Sequence, residues 1–325
     1  MKPLHGGNVH AYRRAHGLCP LDFSANINPL GLPPEVRKAA AAAIEASVHY
    51  PDPECRDLRE AIALHERLPA EWVLCGNGAA DLIYRFAYAV SPQTALVCAP
   101  SFAEYARALH AAKCRTVVHR LTPESGFRVT EAILPALKEA QALCLCNPNN
   151  PTGRTVAPQV LTRVLSACAD RGVHVLLDEC FIDFLPEPSA HTRVPQLARD
   201  PRTVILKAFT KFYALPGLRL GYALCADAAL LSRMAAAGPP WSVSSVAQAA
   251  GAAALCAPEY AKSSRALIQE ERAFLAQGLA GLGLEPIGEA NFLLVKTRAG
   301  VADALSRDGI LVRDCANFEG LCEGW

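Results

Sequence analysis

Between residues 72 and 225 the chain alternates short apolar runs with helix-length segments, and no other feature restricts its fold as much. Strand-length runs occupy residues 72–75, 95–98, 115–119, 142–146, 173–177, 203–206 and 220–225. Stretches of helical length, such as 81–89, 103–111 and 159–170, lie between most of them. Runs that are apolar at successive positions must be covered on both faces. The pattern therefore predicts an α/β fold with a mostly parallel sheet clad by helices, and such sheets bind ligands at the carboxyl ends of their strands.

The flanks have a different character. Residues 1 to about 32 are rich in Gly, Asn and Pro and show no sustained helical period, which predicts an extended arm lying on the body of the protein. Within it, His5-Gly-Gly-Asn8 and Asp22-Phe-Ser-Ala-Asn-Ile-Asn-Pro-Leu-Gly31 set flexible backbone beside imidazole and amide groups, which suits close approach to an anion. Glycine turns and Asx-turns would give the same composition. Pro33-Pro-Glu-Val36 opens a helix where proline is tolerated, the alanine run carries it to Ala46, and His49-Tyr-Pro-Asp-Pro53 stops it. After Gly238-Pro-Pro-Trp241 come long helices, one from Pro258 to about Leu282, then a strand at 292–295, a short helix from Val301 and a strand at 310–312. A chain of 325 residues ordinarily divides into two domains. We expect a large domain over residues 47–238 and a smaller α+β domain over 239–325, with the arm and its helix (1–46) joining the smaller one and the active-site cleft between the two.

A net charge of +1 supplies neither a basic field for nucleic acid nor a polybasic surface for a membrane, so a small metabolite is the expected partner. No stretch approaches the roughly 18 uninterrupted apolar residues of a membrane span, and no apolar run follows Lys2, so a cytoplasmic location is expected. The 13 cysteines are odd in number and form no Cys-x-x-Cys pair. Cys75, Cys98, Cys144, Cys146 and Cys225 lie in apolar runs, where cysteine acts as a small hydrophobe, and no metal is expected.

Charge concentrates between Lys207 and Gly221. Lys211 follows one apolar run and Arg219 opens the next, so two cations flank sheet ends and ask for an anion. Gly76-Asn-Gly-Ala-Ala-Asp81 leaves a strand and enters a helix, where free backbone N–H groups and the helix dipole favour an anion. A Gly-x-Gly turn alone is more often just a tight connection. Asp178 ends a buried strand, where a carboxylate is costly unless paired. A lone lysine such as Lys211 is ordinarily a solvated surface residue, but these motifs in this order, with Asn147-Pro-Asn-Asn-Pro-Thr-Gly153 upstream, reverse that expectation.

Together they resemble the fold-type I pyridoxal 5′-phosphate (PLP) enzymes of the aminotransferase superfamily. The resemblance implies that PLP binds covalently through Lys211, and that Gly78, Ala79, Ala80, Thr210 and Arg219 hold its phosphate. It implies that Asp178 pairs with the protonated pyridine nitrogen and keeps the ring an electron sink. Lys211 and Asp178 are then the catalytic residues. Asn150 would bond the ring oxygen, and Phe102 would stack on the ring face, although ordinary core packing explains Phe102 equally well.

One branch of that superfamily is resembled over almost the whole chain. His5-Gly-Gly-Asn8, Phe23-Ser-Ala-Asn-Ile-Asn-Pro-Leu-Gly31, Asp178-Glu-Cys-Phe-Ile-Asp-Phe184, Thr210-Lys-Phe-Tyr-Ala-Leu-Pro-Gly217 and Pro240-Trp-Ser-Val243 are similar to the threonine-phosphate decarboxylases of cobalamin biosynthesis, relatives of the histidinol-phosphate aminotransferases. The resemblance implies decarboxylation of L-threonine O-3-phosphate to (R)-1-amino-2-propanol O-2-phosphate. It implies substrate contacts from His5, Asn28, Asn150 and Arg313, and a homodimer in which Tyr50 reaches the neighbouring subunit's cofactor phosphate. For Arg313, a surface charge at a strand end is an equal alternative.

Three departures from the family pattern stand out. Ala208 replaces the usual Ser or Thr three residues before the lysine, and Phe181 replaces a tyrosine whose hydroxyl touches the ring oxygen. The sequence also stops at Trp325, short of a strand that carries a carboxylate-binding arginine in the family, so we expect it to be incomplete at its C-terminus. An aminotransferase acting on histidinol phosphate or another amino acid, and a catalytically inactive PLP-binding protein, both remain open at this stage.

Overall fold

A computed structural model of the chain describes residues 6–325. The arm carries α1 (Val9–His16) and β1 (Leu21–Asp22), followed by α2 (Pro34–Ala43) and α3 (Arg56–Glu66). Next come β2 (Val73–Gly76), α4 (Ala79–Val90), β3 (Thr94–Ala99), α5 (Glu104–Ala111), β4 (Arg115–Arg120), β5 (Ala142–Cys146) and α6 (Pro158–Arg171). They lead to β6 (His174–Asp178), β7 (Thr203–Ala208), α7 (Phe209–Phe212) and β8 (Gly221–Leu224). Helices α8 (Ala228–Ala236), α9 (Ser245–Leu255), α10 (Pro258–Gly281) and α11 (Val301–Arg307) precede β9 (Ile310–Leu311).

All seven strands expected between residues 72 and 225 join one sheet, in the order β2-β8-β7-β6-β5-β3-β4. Only β8 runs antiparallel to its neighbours β2 and β7; the remaining ladders are parallel. The two-residue period of a strand divides these apolar runs between two cores. Leu143, Leu145, Val175, Leu177 and Ile205 pack into a layer with α3, α6 and α9, while Ala142, Cys144, Leu176, Val204 and Leu206 face α4, α5 and α8. Each fully buried leucine or isoleucine contributes about 1.5–3 kcal/mol, so the sheet cannot slip by one residue without exchanging its two faces. The covering helices follow the same logic. In α6, Pro158 occupies the first turn, Leu161, Val164, Leu165 and Cys168 bury one stripe, and Gly172 at φ 71° ends the helix in the left-handed conformation.

Outside the sheet the structure corrects several expectations. The arm is not extended throughout, because α1 forms between two caps: Asn8 Oδ1 accepts from the Ala11 N–H at 3.3 Å, and the Gly17 N–H donates to Arg13 O at 2.9 Å. No residue of α1 is buried, so it leaves no apolar period to read. Helix α3, anchored by Leu58 and Ile62, was not anticipated either, and α2 ends at Ala43 with a separate 3-10 turn over Glu45–Val48. The strand expected at 292–295 is a single antiparallel bridge between Ile287 and Leu294. It cannot lengthen, because the adjoining Glu289 N–H is committed to Gly153 O at 2.8 Å. The strand expected at 310–312 is present as β9, in parallel register with β1 through Leu21–Ile310 and Asp22–Leu311. Helix α9 packs on α2 and α3, and a Cβ added at its Gly251 would come within 2.4 Å of Leu220. No helix among the described residues is long and apolar enough to cross a membrane.

A charge network is buried where β7 meets β8 and α3. Lys207 Nζ lies 3.1 Å from Glu66 Oε1 and 3.5 Å from Asp183 Oδ1, and Tyr222 Oη donates to Glu66 at 2.6 Å. Glu179 lies close by and accepts from Thr192 Oγ1 at 2.6 Å and from the Arg193 N–H at 2.8 Å. Burial pushes the Glu179 carboxyl up to about 7, because Lys207, Thr192 and Arg193 only partly offset the loss of water and Glu66 repels its charge. A carboxyl whose folded pKa exceeds its unfolded value of about 4.3 favours folding fully below that value and loses this contribution as pH rises through its folded pKa. Glu179→Gln should therefore shift stability upward relative to wild type as pH is raised from about 5 to about 8. Urea midpoints at the two ends of that range test this, and a difference independent of pH would show that Glu179 is ionised throughout.

Candidate active site

The parallel strands deliver the expected residues to one rim. Asp178 closes β6, Lys211 lies on the turn of α7 directly after β7, and the 76–78 turn links β2 to α4. Phe102 follows β3, and the 147–153 loop follows β5. Arg219 sits just before β8, whose reversed direction brings its start to the same edge. All are on strand ends, or on the loops and short helical turn that adjoin them, held by a buried sheet, the placement expected for binding groups in this architecture.

Asp178 is almost wholly buried and its carboxylate is held from two sides. Tyr105 Oη donates to Oδ2 at 2.6 Å, and the Cys180 N–H donates to Oδ1 at 2.9 Å. Phe102 meets Tyr105 edge-on, with ring centroids 5.6 Å apart. In the neighbouring loop Asn147 Oδ1 accepts from the Val156 N–H, and Asn149 bonds Pro100 O, Thr152 and Ser101. These buried amides shape the loop, and Asn150 is the partly exposed amide at its edge. Gly153, at φ 63°, is required by close approach, since a Cβ there would stand 2.8 Å from Gly288 Cα. Phe181, in place of the family's tyrosine, packs on Phe292 with centroids 4.9 Å apart.

Two lysines four positions apart have opposite electrostatics. Burial opposes the charge of Lys207, but Asp183, Glu66 and Glu179 outweigh it and push its pKa up, so this ammonium stays protonated and paired. Burial lowers the pKa of Lys211, and the nearby Arg219 charge acts in the same sense. A lysine shifted in this direction presents more free amine, the form that attacks a carbonyl. Lys211 Nζ donates to Ala25 O of the arm at 2.7 Å, a contact that sequence reasoning missed.

Arg219 and the α4 turn form the anion site. Arg219 is exposed, and a Cβ on Gly78 would stand 2.8 Å from its Nη2. Gly78 itself is at φ 83°, and a Cβ on Gly221 would come 2.7 Å from the Ala79 N atom. Glycine at these positions lets the guanidinium approach the N–H groups of Ala79 and Ala80 at the start of α4, whereas the expected Gly78 N–H donor is committed to Gly76 O at 2.8 Å within the turn. Asp81 braces the turn from behind, accepting from the Asn77 N–H at 2.9 Å and from Arg85 Nε at 3.0 Å. Thr210 is buried beside Lys211 in α7.

The expected substrate residues divide. His5 lies outside the described residues. Arg313, two residues beyond β9, donates to Asp314 O and to Asn317 Oδ1 and lies over the Phe318 ring, 5.0 Å from its centroid. It lines a cavity of about 350 Å³ with Gly6, Asn8, Tyr12 and Ser24. Asn28 is a correction: its Nδ2 donates to Phe212 O at 2.8 Å and to Ser264 Oγ at 2.7 Å, while Oδ1 accepts from the Leu30 N–H at 3.1 Å. Both amide donors are thus committed, and the residue latches the arm to α7 and α10 where it was expected to bind phosphate. Tyr50 is 79% exposed and stacks on Trp241 at 4.7 Å.

These side chains fit pyridoxal 5′-phosphate. A guanidinium beside a helix N-terminus suits a phosphate dianion, a fixed carboxylate suits a pyridinium, and a depressed amine suits an aldehyde. Such a rim on a mostly parallel sheet is the architecture of fold-type I PLP enzymes. Residues 20–325 match the family described as aminotransferase class I and II. The chain is 38% identical to a threonine-phosphate decarboxylase of Salmonella typhimurium over 98% of this chain and 89% of that protein. It superposes on the histidinol-phosphate aminotransferase of Clostridium acetobutylicum with a TM-score of 0.87 and 28% identity, covering 94% of this chain and 92% of that one. For the histidinol-phosphate aminotransferase of Sinorhizobium meliloti in complex with pyridoxal-5′-phosphate, the TM-score is 0.85 at 25% identity, covering 96% and 88% of the two chains. The chain belongs to the aminotransferase class I and II family.

Asn28→Ala deletes two buried hydrogen bonds and one half-buried one and should cost about 2–4 kcal/mol of stability, allowing roughly 1 kcal/mol for each. Urea unfolding measures it, and a loss below about 0.5 kcal/mol would mean that the latch bears no load.

Proposed function

We propose that this chain is a PLP-dependent carbon–carbon lyase, a cytoplasmic homodimer that converts L-threonine O-3-phosphate to (R)-1-amino-2-propanol O-2-phosphate and carbon dioxide. The carrying observation is the 2.7 Å contact between Lys211 Nζ and Ala25 O, because it sets the arm against the reacting amine. Ser24, the preceding residue, lines the cavity that Arg313 also lines, so the arm that meets the amine also borders a cavity with a cation in its wall. The name carried by the Salmonella relative supports the same reaction.

When bound, PLP supplies an electron sink for the electron pair of the substrate's Cα–carboxylate bond. The chain's residues do the remainder. Arg219 and the Ala79 and Ala80 N–H groups, with Gly78 giving close approach, would bind the cofactor phosphate, and Phe102 and Asn150 would orient the ring. Asp178 keeps the pyridine nitrogen protonated. Lys211, as the free amine's conjugate acid, returns a proton to Cα after carbon dioxide leaves. Arg313 and His5 bind the substrate phosphate, and Tyr50 of one protomer completes the phosphate site of its partner.

A second reading is favoured by the likeness to histidinol-phosphate aminotransferases, whose reaction needs the same cofactor cage. The fate of threonine phosphate with purified, PLP-loaded protein separates them. Carbon dioxide release supports the lyase, an oxo-acid-dependent keto product supports amino transfer, and neither supports an inactive binder. Borohydride reduction followed by mass spectrometry should place the cofactor on Lys211, and an adduct on Lys207 would overturn the site. For substrate choice, Arg313→Ala should cost roughly 1.5–3 kcal/mol in kcat/KM for threonine phosphate, as expected for a hydrogen bond to a charged group, and almost nothing for threonine. Equal losses for both substrates would move the phosphate site elsewhere.

A further inference from the structure

The contact between Tyr105 and Asp178 joins two residues 73 positions apart, and neither family motif nor composition assigns Tyr105 a role. Tyr105 is buried in the first turn of α5, beside the Cys146 thiol, and its hydroxyl donates to Asp178 Oδ2 at 2.6 Å. That distance is typical of a hydroxyl donating to a carboxylate. Burial, and then the charge of Asp178, push the phenol pKa well above its ordinary value, so Tyr105 keeps its proton and remains the donor. The Cys180 N–H takes the other oxygen at 2.9 Å, which fixes the plane of the carboxylate. A carboxylate has about four acceptor sites, so two donors leave room for a third partner.

We infer that Tyr105 is a positioning residue that acts through Asp178 to keep the shared proton on the cofactor's pyridine nitrogen. The physical reason is competition for electron density. A strong donor on Oδ2 makes Asp178 a poorer base, so a proton placed between the carboxylate and a ring nitrogen sits on the nitrogen. Without that donor the carboxylate becomes more basic and draws the proton toward itself, and the ring withdraws electrons less well. Tyr105 also meets Phe102 edge-on, so one buried side chain orients both the carboxylate at the ring nitrogen and the aromatic expected on the ring face. The inference rests on Asp178 facing the pyridine nitrogen, as in the proposed function, and is independent of which substrate is turned over.

Tyr105→Phe removes the hydroxyl and keeps the ring. The test loads wild type and variant with PLP carrying the heavy nitrogen isotope in its ring and compares the nitrogen NMR shift. We expect a protonated ring nitrogen in wild type and a shift toward the unprotonated position in the variant. Accompanying it should be a fall in kcat of about 10- to 100-fold with KM changed less than about threefold, the pattern of an interaction that matters in the transition state. In an Asp178→Asn background the same substitution should add less than about threefold, because it acts through the missing carboxylate. If Tyr105→Phe folds poorly, para-aminophenylalanine at this position keeps the size with a weaker donor and should shift the nitrogen signal in the same direction. A protonated wild-type nitrogen left unmoved by both substitutions overturns the role of Tyr105 alone. A wild-type nitrogen that is unprotonated, or a protein that takes up no PLP, overturns the placement of Asp178 and this inference with it.

Discussion

A carboxylate buried at the end of a central strand is the constraint on which the rest of this site depends. Asp178 closes β6, whose neighbours β5 and β7 are themselves buried, so the charge has no water to relieve it. Leaving such a group unpaired costs several kcal/mol. The fold meets that cost with a phenol from α5 and the N–H of Cys180, while the Asn147 N–H donates to the Asp178 carbonyl at 2.8 Å. The loop after β5, the turn after β6 and the first turn of α5 are thereby tied to one another. Their relative positions are what a flat aromatic cofactor requires.

The second organising effect is the separation of two lysines by charge. Lys207 ends up among Glu66, Asp183 and Glu179, inside the sheet, and its proton is held there. Lys211, four residues on, is buried with Arg219 nearby and donates to a backbone carbonyl, so its pKa is lowered. The same residue type is thus a paired structural cation at one position and a lysine of lowered pKa, the form suited to a nucleophile, four residues later. The difference lies entirely in which carboxylates the tertiary structure brings near.

Much of the fold was legible because its signals are local. Seven apolar runs of strand length predicted seven strands, and the sheet's two faces follow from the two-residue period of those runs. Lys211, Asp178, Arg219 and the 76–81 turn were legible for a related reason: each lies at the end of such a run, and parallel topology gathers strand ends on one rim. Helix α1 was not legible, because it is fixed by Asn8 and Gly17 caps and buries no apolar stripe. The run at 292–295 read as a strand because apolarity alone cannot tell whether a pairing partner is available.

By itself, then, the sequence determined the sheet, the order of the chemical groups along it and the family to which they belong, since periodicity and chain order need no knowledge of distant contacts. Tertiary structure alone decided what the polar groups do. Asn28 meets Ser264 across 236 positions, Lys211 meets the arm carbonyl across 186, and Tyr105 meets Asp178 across 73. No local pattern encodes such pairs. They exist because burial leaves each polar group a choice between finding a partner and losing its hydrogen bonds to water, and only the packed fold determines which partner lies within 3 Å.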